Sequence, residues 1–263
     1  MTPTSPVPPY PTPSGLLRNK TVVVTAAAGT GIGFAAAKRA AEEGARLMIS
    51  DFHERRLNEA ADRIAAESGC TRPAVFVCDV TDEAAVQGLR NAALGELGRV
   101  DVLINNAGLG GEADVVEMTD EQWHKVLDVT LTSLFRMTRA FLPTMYAAKS
   151  GVMVNNASVL GWRAQKGQAH YAAAKAGVMA FTRCAAIEAA EHGVRINAVA
   201  PSLAMHPFLA KVTTQEALDK LVEKEAFKRP AEVWEVANVM MFLASDLSSY
   251  LTGEIISCSS QRA

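Results

Sequence analysis

Residues 21–34 read TVVVTAAAGTGIGF. The opening run of β-branched residues has no polar face, as expected of a strand buried on both sides of a parallel sheet. It passes through glycines 29, 31 and 33 into an alanine-rich stretch that predicts a helix. A glycine-rich turn between strand and helix lets backbone amides approach a pyrophosphate, and the helix N-terminus adds favourable dipole charge. Gly29, Thr30, Gly31, Ile32 and Gly33 are therefore candidate phosphate contacts. Gly33 would also allow close packing of helix on strand.

Outward from this unit the same alternation continues. Strands are expected at 21–25, 46–50, 74–78, 102–104, 152–155, 195–199 and 254–257, and helices at about 31–43, 53–67, 82–97, 120–148, 169–192 and 231–245. Strict β-α alternation implies right-handed crossovers. The expected fold class is α/β: a single-domain, doubly wound parallel sheet of about seven strands flanked by helices. In such a sheet the C-terminal strand ends line the ligand crevice. Residues 16–263 form the expected domain, with no internal repeat or linker. Residues 1–15 hold six of the eleven prolines and no charge, and lack a basic or apolar leader region. They are expected to form a mobile, polyproline-like tail.

The 263 residues suit one domain. Lys and Arg total 26 against 28 Asp and Glu, a net charge of −2, so no basic excess marks a nucleic-acid or anionic-membrane partner. No run reaches the roughly 18 apolar residues of a membrane span. The four cysteines form no C-x-x-C pair and no histidine cluster supplies zinc spacing, so no metal is expected. Inert thiols in a reducing compartment, the cytoplasm, are the expectation.

Asp51 ends the second strand, 18 residues after Gly33. A carboxylate there can accept both ribose hydroxyls and would repel a 2′-phosphate, which favours NAD over NADP. Arg55 and Arg56 follow and would either blunt that preference or stand as solvated charges. Asp51 capping the next helix is the alternative. Tyr171 and Lys175, four apart on a predicted helix, share one face. An ammonium beside a phenol lowers its pKa and suits it to proton exchange with a hydroxyl or carbonyl. Ser158, thirteen residues before Tyr171 and just past a strand, could hydrogen-bond the same oxygen.

GTGIG at 29–33, Asp51, Cys78-Asp79-Val80, Asn105-Asn106-Ala107-Gly108, Ser158, Tyr171-x-x-x-Lys175 and Arg195 to Pro201 occur in this order. Over 16–258 the chain resembles a short-chain dehydrogenase/reductase, with a Rossmann-type fold. The resemblance implies Tyr171 as general acid/base, Lys175 on the nicotinamide ribose, and Ser158 holding the reacting oxygen. Asp79 and Val80 would flank adenine. Asn105 to Gly108, with Asn105, Ala107 and Gly108 as cofactor contacts, would pass beside the adenosine ribose and support the sheet, and backbone near Pro201 and Leu203 would meet the carboxamide. The chain departs from the family pattern in five places. Its turn is one residue longer, with Ala27 near the first glycine's place. Thr130 replaces an asparagine that anchors a relay water, and the threonine hydroxyl would bind that water in part. Ser202 replaces a glycine, His206 a threonine, and CSSQ at 258–261 a double glycine.

Substrate would meet the segments after Ser158 and Pro201. Trp162, Met205 and Phe208 offer an apolar wall for a bulky alicyclic alcohol, or pack a lid or subunit interface. Arg163 could pair with a carboxylate or CoA phosphate, or with a surface acid; His170 points away from Tyr171. The strings TAAAGTGIGFA, NNASVLGWRAQ and HYAAAKAGVMA look like those of actinobacterial members linked to steroid-ring breakdown, which act on hydroxy-indanone propanoates or their CoA esters. The implied function is NAD-dependent interconversion of a secondary alcohol and a ketone. The alternatives are an NADPH-dependent 3-oxoacyl thioester reductase and a catalytically dead NAD-binding regulator. The resemblance also implies a homotetramer or dimer built through the two long helices and the last strand.

Overall fold

The computed structural model describes residues 5–206 and 214–261. Seven parallel strands form one sheet in the order β3-β2-β1-β4-β5-β6-β9. They are β1 (Thr21–Thr25), β2 (Arg46–Asp51), β3 (Ala74–Val77), β4 (Val102–Asn105), β5 (Gly151–Asn156), β6 (Val194–Pro201) and β9 (Ile255–Cys258). A two-stranded ribbon pairs β7 (Ala204–Met205) with β8 (Ala231–Glu232). The helices are α1 (Ile32–Glu42), α2 (Glu54–Ser68), α3 (Glu83–Leu97), α4 (Asp120–Leu127), α5 (Ser133–Ala148), α6 (Ala169–Ala190), α7 (Gln215–Lys224) and α8 (Val233–Ala244).

The alternation of side chains along β1 explains the two faces. Val22 and Val24 enter one core with Phe34 of α1, Leu57 of α2 and Met240 of α8. Val23, between them, enters the other with Leu89 of α3, Phe141 of α5 and Ala186 of α6. All three valines are fully buried, each worth roughly 1.5–3 kcal/mol relative to exposure. The sheet order reverses between β1 and β4, which opens a crevice at the C-terminal ends of those strands.

Three features differ from expectation. The predicted helix 120–148 is broken by a π-helical turn at Asp128–Thr132. An unforeseen amphipathic helix, α7, lies beyond β7, past the segment read as substrate-facing. Part of the proline-rich segment is fastened down. The Tyr10 hydroxyl donates to Glu42 at 2.7 Å and its ring meets Trp234 edge-on. The amides of Ser14 and Leu16 donate to Glu43 at 3.0 and 2.9 Å. Glu43 is buried against Arg39, and the amides satisfy its remaining lone pairs. The expectation of an unattached tail took no account of these partners.

Candidate active site

The phosphate turn begins with Ala26, whose φ of +51° is left-handed. The departure predicted at Ala27 therefore sits one residue earlier: Ala26 takes the glycine-like conformation and Ala27 is simply buried core. Gly29 also has positive φ. Gly31 caps α1 without a side-chain bond to its first amides, which leaves them for an anion. Ile32 and Gly33 open the helix. A Cβ on Gly33 would lie 2.3 Å from both the Ala26 carbonyl oxygen and Asn106 Nδ2, so no other residue fits.

Asn106 knits the turn to the sheet. Its Nδ2 donates to the carbonyls of Thr25 and Ala26 at 3.2 and 3.1 Å, and its Oδ1 accepts from Asn156 at 2.9 Å. The sequence placed Asn106 in the stretch beside the adenosine ribose but gave no sign of this clamp, because its three partners are distant in the chain. Asn105 points inward. Its Nδ2 donates to Asn155 at 3.0 Å and Asn155 donates to Thr182 at 2.9 Å, so the side chain supports the sheet and does not face the crevice.

The crevice widens into a cavity of about 470 Å³ lined by Asp51, Phe52, Asp79, Val80, Ala107 and Gly108, with Leu109, Lys125, Asp128 and Val129. Asp51 is buried; its carboxylate accepts from the amides of Ala28 and His53 at 3.2 and 3.0 Å. Burial raises its pKa. The N-cap of α2 is His53. Arg55 is solvated and paired with Glu59, as the bland alternative required, while the positive charge of Arg56 acts on Asp51. Asp79 is occupied by Thr81, which donates its amide and hydroxyl. Exposed Phe52 and the α4-side residues were missed; they belong to a wall assembled from separate loops.

Ser158, Tyr171 and Lys175 come together. Ser158 is buried and caps a short 3-10 turn, Val159–Gly161, by accepting the Leu160 amide at 3.2 Å. Lys175 is 2 % exposed; its Nζ donates to the Asn156 carbonyl at 2.5 Å and lies 5.6 Å from the Tyr171 ring centroid. The pKa shifts correct the simple expectation. Burial pushes Tyr171 up, only partly offset by its hydrogen bond to Ser158, and burial pulls Lys175 down to about 7. Desolvation penalises both charged forms, and the lysine's bond goes to Asn156.

Gly108 allows this arrangement: a Cβ there would stand 3.3 Å from Lys175 Nζ. Thr130 lies in the π-helical turn. Its hydroxyl donates to the Leu109 carbonyl at 3.1 Å and accepts the Leu109 amide at 3.0 Å. The side chain expected to share in holding a water thus spends its proton and a lone pair clamping the loop next to Lys175. A void of about 10 Å³ beside it is lined by Thr25, Asn105, Thr130, Ser133 and Asn156, near the lower limit for one water.

Pro201 ends β6 and Leu203 follows. The Leu203 carbonyl accepts from Ala231 at 2.8 Å and its amide faces Glu225 at 3.5 Å. Trp162 is 51 % exposed and Met205 half-buried; Phe208 lies outside the described residues. His170 is buried against Gly111. A cleft of about 560 Å³ at the opposite strand ends, around Lys20, Asp101 and Arg195, contains none of the predicted site residues. Arg195 there is bound to carbonyls of Leu243, Ser245 and Leu251 and to Ser248. No helix among the described residues is long and apolar enough to cross a membrane.

A family profile described as enoyl-(acyl carrier protein) reductase matches residues 26–260. The chain is 62 % identical over 248 residues, 94 % of each chain, to the Mycobacterium tuberculosis protein named (5R,7aS)-5-hydroxy-7a-methyl-1-oxo-2,3,5,6,7,7a-hexahydro-1H-indene-carboxyl-CoA reductase. It is 40 % identical to the meso-2,3-butanediol dehydrogenase of Serratia marcescens, over 89 % of this chain and 91 % of that one. The crystal structure of a short chain dehydrogenase from Mycobacterium smegmatis superposes with a TM-score of 0.88 at 56 % identity, covering 99 % of this chain and 100 % of that one. With the glycine turn and the Ser158, Tyr171 and Lys175 cluster in one crevice, the chain belongs to the short-chain dehydrogenase/reductase family of nicotinamide-dependent oxidoreductases.

Proposed function

We propose that this enzyme interconverts a secondary alcohol and a ketone on a fused-ring substrate, a hydroxy-indanone acid or its CoA thioester, with NAD as cofactor. The observation that carries the reading is the convergence of Ser158, Tyr171 and Lys175 at the crevice. The residues there suit a dinucleotide: uncapped amides at α1, the space kept by Gly33 and a carboxylate at the end of β2. The relative's name supports the substrate class. A buried Asp51 supports NAD, since a 2′-phosphate would meet its charge. The same residue weighs against the NADPH-dependent thioester-reductase alternative, and the intact cluster weighs against a dead regulator.

In this mechanism Gly29 to Gly33 would hold the pyrophosphate and Asp51 the adenosine ribose, and Asp79, Val80, Ala107 and Gly108 would form the walls around adenine. Pro201 and Leu203 border the carboxamide. A nicotinamide held there would supply hydride transfer from or to the carbinol carbon. Ser158 orients the reacting oxygen. Tyr171 accepts the alcohol proton at its phenolic oxygen during oxidation and donates it during reduction. In its protonated form, which its lowered pKa of about 7 confines to neutral pH and below, Lys175 favours the phenolate by charge. Exposed Phe135 on α5 and Ile187 on α6 support assembly of copies through these helices.

The test is NAD-linked absorbance change with the hydroxy-indanone acid, its CoA thioester and simple cyclic alcohols, with NADP in parallel. Tyr171→Phe should abolish turnover while retaining NADH binding. Turnover at the original rate in that variant overturns the assignment.

A further inference from the structure

The rim of the substrate side carries a cation whose partner is neutral. Arg163 is half-buried, five residues beyond Ser158. Its amide donates to the Val159 carbonyl at 3.0 Å, and the preceding turn is pressed onto α6, where a Cβ on Gly161 would meet Met179 at 2.7 Å. Arg39, Arg136 and Arg229 each face a carboxylate. Among the described residues no carboxylate lies within ion-pair distance of Arg163; its guanidinium donates to Oε1 of Gln261.

The orientation of Gln261 has a cause. Its Nε2 donates to Glu225 Oε1 at 2.8 Å, and the Ser260 hydroxyl donates to Oε2 at 2.6 Å. Glu225 is 1 % exposed. Both Glu225 oxygens act as acceptors, so Gln261 turns its NH₂ toward Glu225 and its oxygen toward Arg163. Backbone bonds from Ser202 to Cys258 and from Ala226 to Ser260 hold the segment in place. The CSSQ sequence thus acts as a clasp between the segments after Ser158 and after Pro201. A carboxylate at position 261 would neutralise the guanidinium. The amide orients it and leaves its charge for an incoming anion.

We propose that Arg163 anchors an anionic group of the substrate, a carboxylate or a CoA phosphate, and that Gln261, oriented by Glu225, is its positioning residue. The inference rests on the dehydrogenase reading above and adds a specificity determinant to it. Guanidinium bonds to carboxylate or phosphate are charge-assisted, so losing them weakens binding about ten- to a hundredfold.

The experiment titrates NADH-saturated wild type, R163Q, R163K and Q261A by calorimetry with the hydroxy-indanone acid, its CoA thioester and its neutral methyl ester, and measures turnover of each. R163Q should weaken binding and raise KM for at least one anion about ten- to a hundredfold, with kcat and the methyl ester nearly unchanged. R163K should keep part of the affinity, and Q261A should raise KM severalfold. Loss with the acid identifies the carboxylate; loss confined to the thioester identifies CoA phosphate. An equal loss with the methyl ester, no loss with either anion, or no binding of either anion to wild type overturns the proposal. If R163Q does not bind NADH, R163K and Q261A decide by the same comparisons. Binding that depends on Arg163 without turnover of any compound would overturn the proposed function and leave the anchor standing.

Discussion

Replacing Lys175 with methionine should change how stability depends on pH. The ammonium is 2 % exposed and held by one backbone carbonyl, and burial lowers its pKa to about 7. In the unfolded chain it titrates near 10.4. Between these values the unfolded state carries a proton that the folded state has released, so stability rises with pH. The contribution is fully present above about pH 10.4 and is lost as pH falls toward 7. One proton changes stability by about 1.4 kcal/mol per pH unit, giving about 4–5 kcal/mol over the interval. Lys175→Met removes the titration at nearly constant volume. Urea denaturation of both proteins at pH 7.5, 8.5 and 9.5 should show wild type gaining roughly 2–3 kcal/mol relative to the variant across that window. Other titrations, such as Cys78 and Cys258, both pushed by burial to about 11, cancel in the difference. Parallel stability curves would refute the assignment of a desolvated lysine.

Gly33→Ala should fold poorly or lose NADH binding, because its methyl would enter the space of the Ala26 carbonyl and Asn106; thermal unfolding and fluorescence titration with NADH report it, at a cost of about 1–3 kcal/mol. Thr130→Val should lower kcat and destabilise by about 1–3 kcal/mol by stranding both backbone groups of Leu109, while Thr130→Ser should retain most activity; steady-state rates and melts separate the two. Asp51→Ser should shift the ratio of kcat/KM for NAD over NADP toward NADP by at least about tenfold, measured with both cofactors on one alcohol.

The valine run of β1 and its continuation through three glycines made the sheet, its parallel order and the phosphate turn legible, because burial on both faces and tight turns leave direct residue patterns. Tyr171 and Lys175 were legible through helical spacing, and Ser158 through its place after β5. The helix predicted at 120–148 was right in extent and wrong in continuity, since a π-helical turn depends on what Thr130 touches across the fold. The clamp of Asn106, the fastening of Tyr10 and the hub at Glu225 left no periodic signal; each joins groups at least 27 residues apart.

By itself, then, the sequence determined the alternation of elements and put Tyr171 and Lys175 on one helical face, both of which follow from local periodicity and turn stereochemistry, while the class of chemistry was carried by the ordered motifs of the family resemblance. Tertiary structure alone decided the electrostatics: that desolvation raises Tyr171 and lowers Lys175, that Asn105 faces inward, and that Arg163 meets an amide. Those outcomes depend on which groups exclude water from which charges, and that is settled only when distant segments close over one another.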